Sequence, residues 1–186
     1  LLLGAPLHAP QQAVPRALVG PVSLPAPSQI SSGLQIHYSP VENLEAIDVG
    51  LISQARSTID IAAYVLTDVP VIEALLAASE RGVAVRLYLD GSGRPAGGRV
   101  EEAVSALFSA ENVAVRVKPP QSAIMHLKGY VVDGKLLRTG SANFSASGLK
   151  HQDNDLIALT DPHFVRAFED KFEAMWEREG ASVAAL

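Results

Sequence analysis

Cysteine is absent from the 186 residues. Its absence excludes disulfides, thiolate metal sites and cysteine nucleophiles, and leaves both the cytoplasm and the periplasm open as compartments. An excess of positive charge is also missing, since 15 Lys and Arg stand against 20 Asp and Glu for a formal charge of −5. No global field draws such a chain to polyanions, so nucleic-acid binding needs a local basic patch. No run approaches the roughly 20 apolar residues of a transmembrane segment. No internal repeat is visible.

What is present is the balance of a folded globular protein: 48% hydrophobic and 19% charged residues. That content and length suit one domain with a full core, not two of equal size. The first 32 residues carry Pro6, Pro10, Pro15, Pro21, Pro25 and Pro27 without helical or strand period and read as an extended leader. Their opening, Leu1-Leu2-Leu3-Gly4-Ala5-Pro6-Leu7-His8-Ala9, reads either as the tail of a signal peptide or as an ordinary flexible end. The first reading implies a periplasmic or secreted protein, the second leaves the cytoplasm as the alternative. The expected organisation is a leader over 1–32, a catalytic domain over 33–180 and a tail over 181–186.

From Gly33 onward, short Val- and Ile-rich runs alternate with Ala- and Glu-rich stretches of helical period, the pattern of an α/β fold. Strands are expected at 34–38, 58–66, 83–90 and 113–118, with helices at about 42–56, 69–81 and 99–109. The glycine-rich stretch 90–98 matches neither the Walker pattern nor the dinucleotide fingerprint, and reads as a loop at the rim of a site. Arg94 and Arg99, within and just after it, are candidates to contact flanking phosphates. Further on, Asp133-Gly134 between apolar runs signals a hairpin. A last strand at 156–159 precedes Asp161-Pro162, the start signal of a helix whose Phe164, Phe168, Phe172 and Met175 or Trp176 are expected in the core.

Chemistry concentrates in His126-Leu127-Lys128-Gly129-Tyr130-Val131-Val132-Asp133 and, after the hairpin, Gly140-Ser141-Ala142-Asn143-Phe144-Ser145. Strand residues two apart share a face, so His126 and Lys128 are expected to enter one pocket, joined from the neighbouring strand by Ser141 and Asn143. An imidazole that attacks or moves protons, beside ammonium, hydroxyl and amide donors, suits an anionic tetrahedral centre such as a phosphoryl group. One histidine beside a lysine makes a poor metal site. Asp133 lies seven positions after His126, an odd offset that sends it away from the pocket, so its expected work is structural: fixing the turn or anchoring backbone donors.

The pattern H-x-K-x4-D followed by G-S-x-N resembles the HKD motif of the phospholipase D superfamily, and most closely its small single-motif endonucleases. The resemblance implies a phospholipase D-like α/β fold, a mixed and mostly parallel sheet with helices on both faces. It also implies a metal-independent, cofactor-free phosphodiesterase acting as a homodimer, because members build one active site from two motifs and this chain carries one. One His126 would attack phosphorus to form a phosphohistidine while the His126 of a second copy serves as general acid. An acidic residue past G-S-x-N orients the imidazole in the family. That role carries to Asp153, with Asp155 as the fallback. His37, ahead of Tyr38-Ser39-Pro40, falls where relatives carry an aromatic-Ser-Pro segment near the site, and is weighed against an ordinary strand histidine.

The resemblance favours nucleic acid as substrate, on a groove lined by Arg94, Arg99, Lys128 and Lys150. A phospholipid is the second choice and calls for an apolar rim such as Leu66, Val69, Pro70, Pro119 and Pro120. A catalytically silent nucleic-acid-binding or scaffold module is the third.

Overall fold

The computed structural model describes residues 33–91, 97–118, 123–178 and 182–183. Its elements run β1 Leu34–Ser39, α1 Leu44–Ser53, β2 Thr58–Ala63, α2 Val69–Glu80, β3 Ala84–Asp90, α3 Gly98–Phe108, β4 Val113–Lys118, β5 Lys128–Val132, β6 Leu136–Thr139, α4 Ala146–Lys150, β7 Asn154–Leu159, α5 Pro162–Trp176 and β8 Ser182–Val183. The leader over 1–32 lies outside the described residues, as do Arg94, Pro119 and Pro120.

The strands form one sheet in the order β1-β7-β6-β5-β2-β3-β4-β8. The expectation of a mixed sheet between helices holds; that of a mostly parallel one does not. Only β2–β3 and β3–β4 are parallel, the two pairs joined by crossover helices α2 and α3. The other ladders are antiparallel: the Asp133-Gly134 turn folds β6 straight back beside β5, while β1–β7, β2–β5, β4–β8 and β6–β7 bring together strands that run in opposite directions. The expected tail contributes β8, which pairs with β4 and extends the sheet past residue 180.

Alternation along the central strands sorts side chains to two faces. Ile59, Ile61, Val85, Leu87, Tyr130 and Val132 pack with Leu44, Ile52, Ile72, Leu75 and Leu107 of α1 to α3. Ala62 and Tyr88 point the other way, against Phe172 and Met175 of α5, as Val131 and Leu137 do against Val165. Gly129 is required beneath α5, because a Cβ there would lie 2.9 Å from the Phe168 ring and 2.9 Å from the Arg138 carbonyl oxygen.

Local signals explain the helix starts. Asn43, Asp68 and Asp161 cap α1, α2 and α5 with side-chain oxygens that accept from Ala46, Val71 and His163 N–H groups, and a proline opens α2 and α5. Phe164 departs from its expected place in the core, with 54% of its surface exposed. Residues four apart drift about 40° per step on a helix, so the inward stripe runs through Val165, Phe168, Phe172 and Met175 and leaves Phe164 at its edge. The second strand stops at Ala63 instead of reaching Leu66. Beyond it the Tyr64 N–H still bonds the Leu127 carbonyl at 2.9 Å, while Leu66 bridges Phe144.

Candidate active site

The registers bring the motif residues to one end of the sheet. β5 begins at Lys128, opposite Ala63 at the end of β2. β6 ends at Thr139, just before Gly140 and Ser141, and β7 begins at Asn154. Because β5, β6 and β7 alternate in direction, the start of β5, the end of β6 and the start of β7 share an edge. The ends of β2 and β3 lie along it too.

His126 sits two residues ahead of β5 and is exposed, while Lys128 on the strand is buried at 6% exposure. Strand alternation is therefore not what joins them. Lys128 Nζ donates to the His126 backbone carbonyl at 2.7 Å, and both side chains pack on Tyr64. The Tyr64 and His126 ring centroids are 4.7 Å apart, and Lys128 Nζ lies 5.2 Å from the Tyr64 centroid. Burial holds the Lys128 ammonium below the usual lysine range. The Asp90 carboxylate, at the end of β3, accepts the Met125 N–H at 2.6 Å and so fixes the backbone just ahead of His126.

Ser141 and Asn143 lie past the end of β6, in the passage to α4, not on a strand. Ser141 is woven into the start of β7. Its N–H donates to Asp155 Oδ1 at 3.2 Å, its hydroxyl donates to Asn154 Oδ1 at 3.1 Å, and Asp155 N–H donates back to the hydroxyl at 3.0 Å. The Asn143 carboxamide oxygen is buried without a hydrogen-bond partner among the described residues. Gly140 takes φ 141°, where a Cβ would strike the Asp155 carbonyl oxygen at 2.4 Å, so the glycine permits β7 to approach. The helix α4 that follows was not foreseen. Its cap is Ser145, whose hydroxyl accepts from Gly148 N–H.

Asp153 is exposed immediately before β7, and Asp155 is half-buried within it. Among the described residues neither carboxylate is hydrogen-bonded to the His126 ring. His37 stands on edge strand β1, bonded through Nδ1 to Glu42 Oε1 at 2.7 Å while Glu42 Oε2 accepts the Tyr38 N–H at 3.0 Å. It anchors the turn into α1, and its strand is separated from β5 by β7 and β6. Arg99 is exposed on the first turn of α3 and paired with Glu73 at 2.9 Å, and Lys150 is paired with Glu45. Of the expected apolar rim, Leu66 is buried in the core at 7% exposure.

Asp133 does the expected structural work. With Gly134 it occupies the positive-φ positions of the turn, at 53° and 62°, closed by Lys135 N–H to the Val132 carbonyl at 3.0 Å. Its carboxylate accepts the N–H groups of Arg56, Ser57 and Thr58 and the Ser57 hydroxyl, tying the hairpin to the start of β2. Burial pushes this carboxyl up, but those four donors outweigh it and hold it below the usual carboxylate range.

Under the motif lies a buried ion pair. Arg138 Nε and Nη2 donate to the two oxygens of Asp48 on α1, each at 2.8 Å. Arg138 Nη1 donates to the Lys128 carbonyl at 3.0 Å and reaches the Ala142 carbonyl at 3.5 Å. One guanidinium thus holds the backbone of both halves of the motif. Arg138, Asp48, Asp90 and Tyr64 were all missed in the sequence. Opposite charges at apolar-period positions, Asp48 in a helix and Arg138 after Leu136-Leu137, are the signal that could have revealed the pair.

Comparison with known proteins decides the family. A family model described as cardiolipin synthase, PLD-like domain, matches residues 49–176. The chain belongs to this phospholipase D-like family. The PLD-like fold superposes on Nuc, a phospholipase D family member from Salmonella typhimurium, with a TM-score of 0.70 and 24% identity, covering 82% of this chain and 99% of that one. At that identity the likeness concerns the fold. The chain is also 26% identical over 127 residues to a mitochondrial cardiolipin hydrolase of Chlamydomonas reinhardtii, covering 68% of this chain and 54% of that protein. It therefore spans about half of that relative's length. A phospholipase D of Rickettsia bellii is 27% identical over 157 residues, 82% of this chain and 74% of that protein.

Proposed function

We propose that this PLD-like chain is a metal-independent phosphodiesterase, acting as a nuclease on DNA or RNA through a covalent intermediate on His126. The observation that carries the reading is the gathering of an exposed imidazole, a buried ammonium, and the Ser141 and Asn143 side chains at one end of the sheet. The His126 nitrogen attacks phosphorus, a P–N bond forms, and the P–O bond to the leaving group breaks as the departing oxygen takes a proton from a second imidazole. Water then attacks phosphorus, gives its proton to that second imidazole, and releases His126 as the P–N bond breaks. Lys128, Ser141 and Asn143 would steady the charge on the non-bridging oxygens. Asp153, or Asp155 beside it, would orient the imidazole once substrate is bound.

The second imidazole is that of a second copy in this reading. Among the described residues no other histidine touches the His126 ring: His37 is committed to Glu42, His151 closes the end of α4, and His163 packs on Phe164 of α5. Edge strand β1 exposes Leu34, Ile36 and Tyr38, alternate residues on one face, and its far end lies at the site edge. That apolar row supports a homodimer packed on this half of the sheet. Sedimentation equilibrium should give twice the chain mass, reduced to one by Ile36→Asp.

The single-motif architecture and its resemblance to the small endonucleases support nucleic acid as substrate. A phospholipid is the second reading, favoured by Tyr38 and Val41 at the same end of the sheet, the latter 91% exposed. Labelled single-stranded DNA, RNA, duplex DNA and cardiolipin vesicles, incubated side by side in EDTA with wild type and His126→Ala, separate the two. The proposal expects nucleic acid to be cut in chelator by wild type alone. Cleavage of cardiolipin alone would install the second reading, and loss of all activity on chelation, restored by a divalent ion, would overturn the metal-free mechanism.

A further inference from the structure

The backbone around His126 is fixed at three points: Met125 N–H on Asp90, the His126 carbonyl on Lys128 Nζ, and the Leu127 carbonyl on Tyr64 N–H. Among the described residues the imidazole has no comparable restraint. It is exposed, and among the described residues its ring contact is Tyr64, at 4.7 Å between centroids and 59° between planes. The same tyrosine ring lies 5.2 Å from Lys128 Nζ. Tyr64 is itself half-buried and follows directly on β2, so its ring is delivered by the rigid centre of the sheet.

We propose that Tyr64 is a positioning residue of this site, its aromatic face setting the orientation of the His126 imidazole and holding the Lys128 ammonium beside it. The inference rests on the reading of His126 as the nucleophile. The physical basis is twofold. An aromatic face attracts both an ammonium and the edge of a neighbouring ring, so one side chain can order two groups of opposite task. A nucleophile displaced by about 1 Å from its line of attack loses rate on the order of a hundredfold, so ordering the ring acts on the chemical step and not on binding. The role belongs to the ring, not the hydroxyl.

Steady-state hydrolysis of bis-p-nitrophenyl phosphate by wild type, Tyr64→Leu, Tyr64→Phe and His126→Ala tests this, with melting temperature recorded for each. Tyr64→Leu should lower kcat roughly ten- to hundredfold with KM within about twofold. Tyr64→Phe should restore kcat to within about threefold of wild type. If Tyr64→Leu does not fold, Tyr64→Met fills the space without a ring and should show the same split. The proposal is overturned if the ring-less variant keeps wild-type kcat, if Tyr64→Phe falls as far as Tyr64→Leu, or if KM alone rises. Equal activity of wild type and His126→Ala would instead remove the reading of His126 beneath it.

Discussion

Arg138 and Asp48 face each other in a two-pronged ion pair with no solvent exposure on either side chain, and the Tyr130 hydroxyl donates to the same carboxylate at 2.8 Å. The pair joins α1 to the hairpin, and its guanidinium also holds the Lys128 and Ala142 carbonyls. Removing one partner strands a buried charge. Asp48→Ala and Arg138→Met should each cost about 3–5 kcal/mol in urea denaturation, whereas the double variant should cost clearly less than their sum. Additive losses would mean that the two groups act independently.

In the proposed reading, Lys128 serves the chemistry at the expense of stability. Burial disfavours its charged form, so its folded-state pKa lies below the unfolded one. Between the two values the unfolded chain binds more protons, and stability should rise with pH there. Lys128→Met removes the buried charge and should unfold at a temperature at or above wild type, while kcat falls on the order of a hundredfold or more. Thermal melts and hydrolysis assays on the same preparation check both halves. A large drop in melting temperature would show that the lysine is structural.

Much of this was legible beforehand for identifiable reasons. The strands at 58, 84 and 113 and the helices between them have long apolar periods, so tertiary packing agrees with local pattern. Asp133-Gly134 was legible because only a turn with two positive-φ positions wants that pair. The direction of the ladders was not, since it follows from which strands become neighbours, and no local pattern records that β5 returns beside β2. Nor could the spacing of His126 and Lys128 reveal what orders them. Their shared contact, Tyr64, is 62 positions upstream of His126 in sequence and reaches the site only because the end of β2 meets the start of β5.

Asp133 should matter in acid. Its folded pKa is depressed, so its contribution to stability is present above the unfolded value near ~4 and is lost as pH falls through the lower folded value. Asp133→Ala removes bonds from four donors and should cost roughly 2–3 kcal/mol at neutral pH. The cost should shrink towards pH 2. A cost independent of pH would show that the turn conformation, and not the carboxylate, supplies the effect.

Asp68 should behave in the opposite sense. Burial, reinforced by the Glu45 carboxylate, raises it to about 6, although its oxygen accepts the Val71 N–H at the start of α2. Wild-type stability should therefore decline as pH rises from ~4, the unfolded value, to about 6. Asp68→Asn keeps the cap and removes the titration, so this decline should be absent from its denaturation series. An unchanged slope would assign the decline to another group.

The most direct test of the whole account is to catch the intermediate. Wild-type protein, mixed with excess phosphodiester substrate and quenched in alkali within its first turnovers, should carry an acid-labile phosphoryl adduct on the peptide containing His126, and His126→Asn should carry none. Steady hydrolysis without any adduct at His126, or an adduct on another residue, would contradict it.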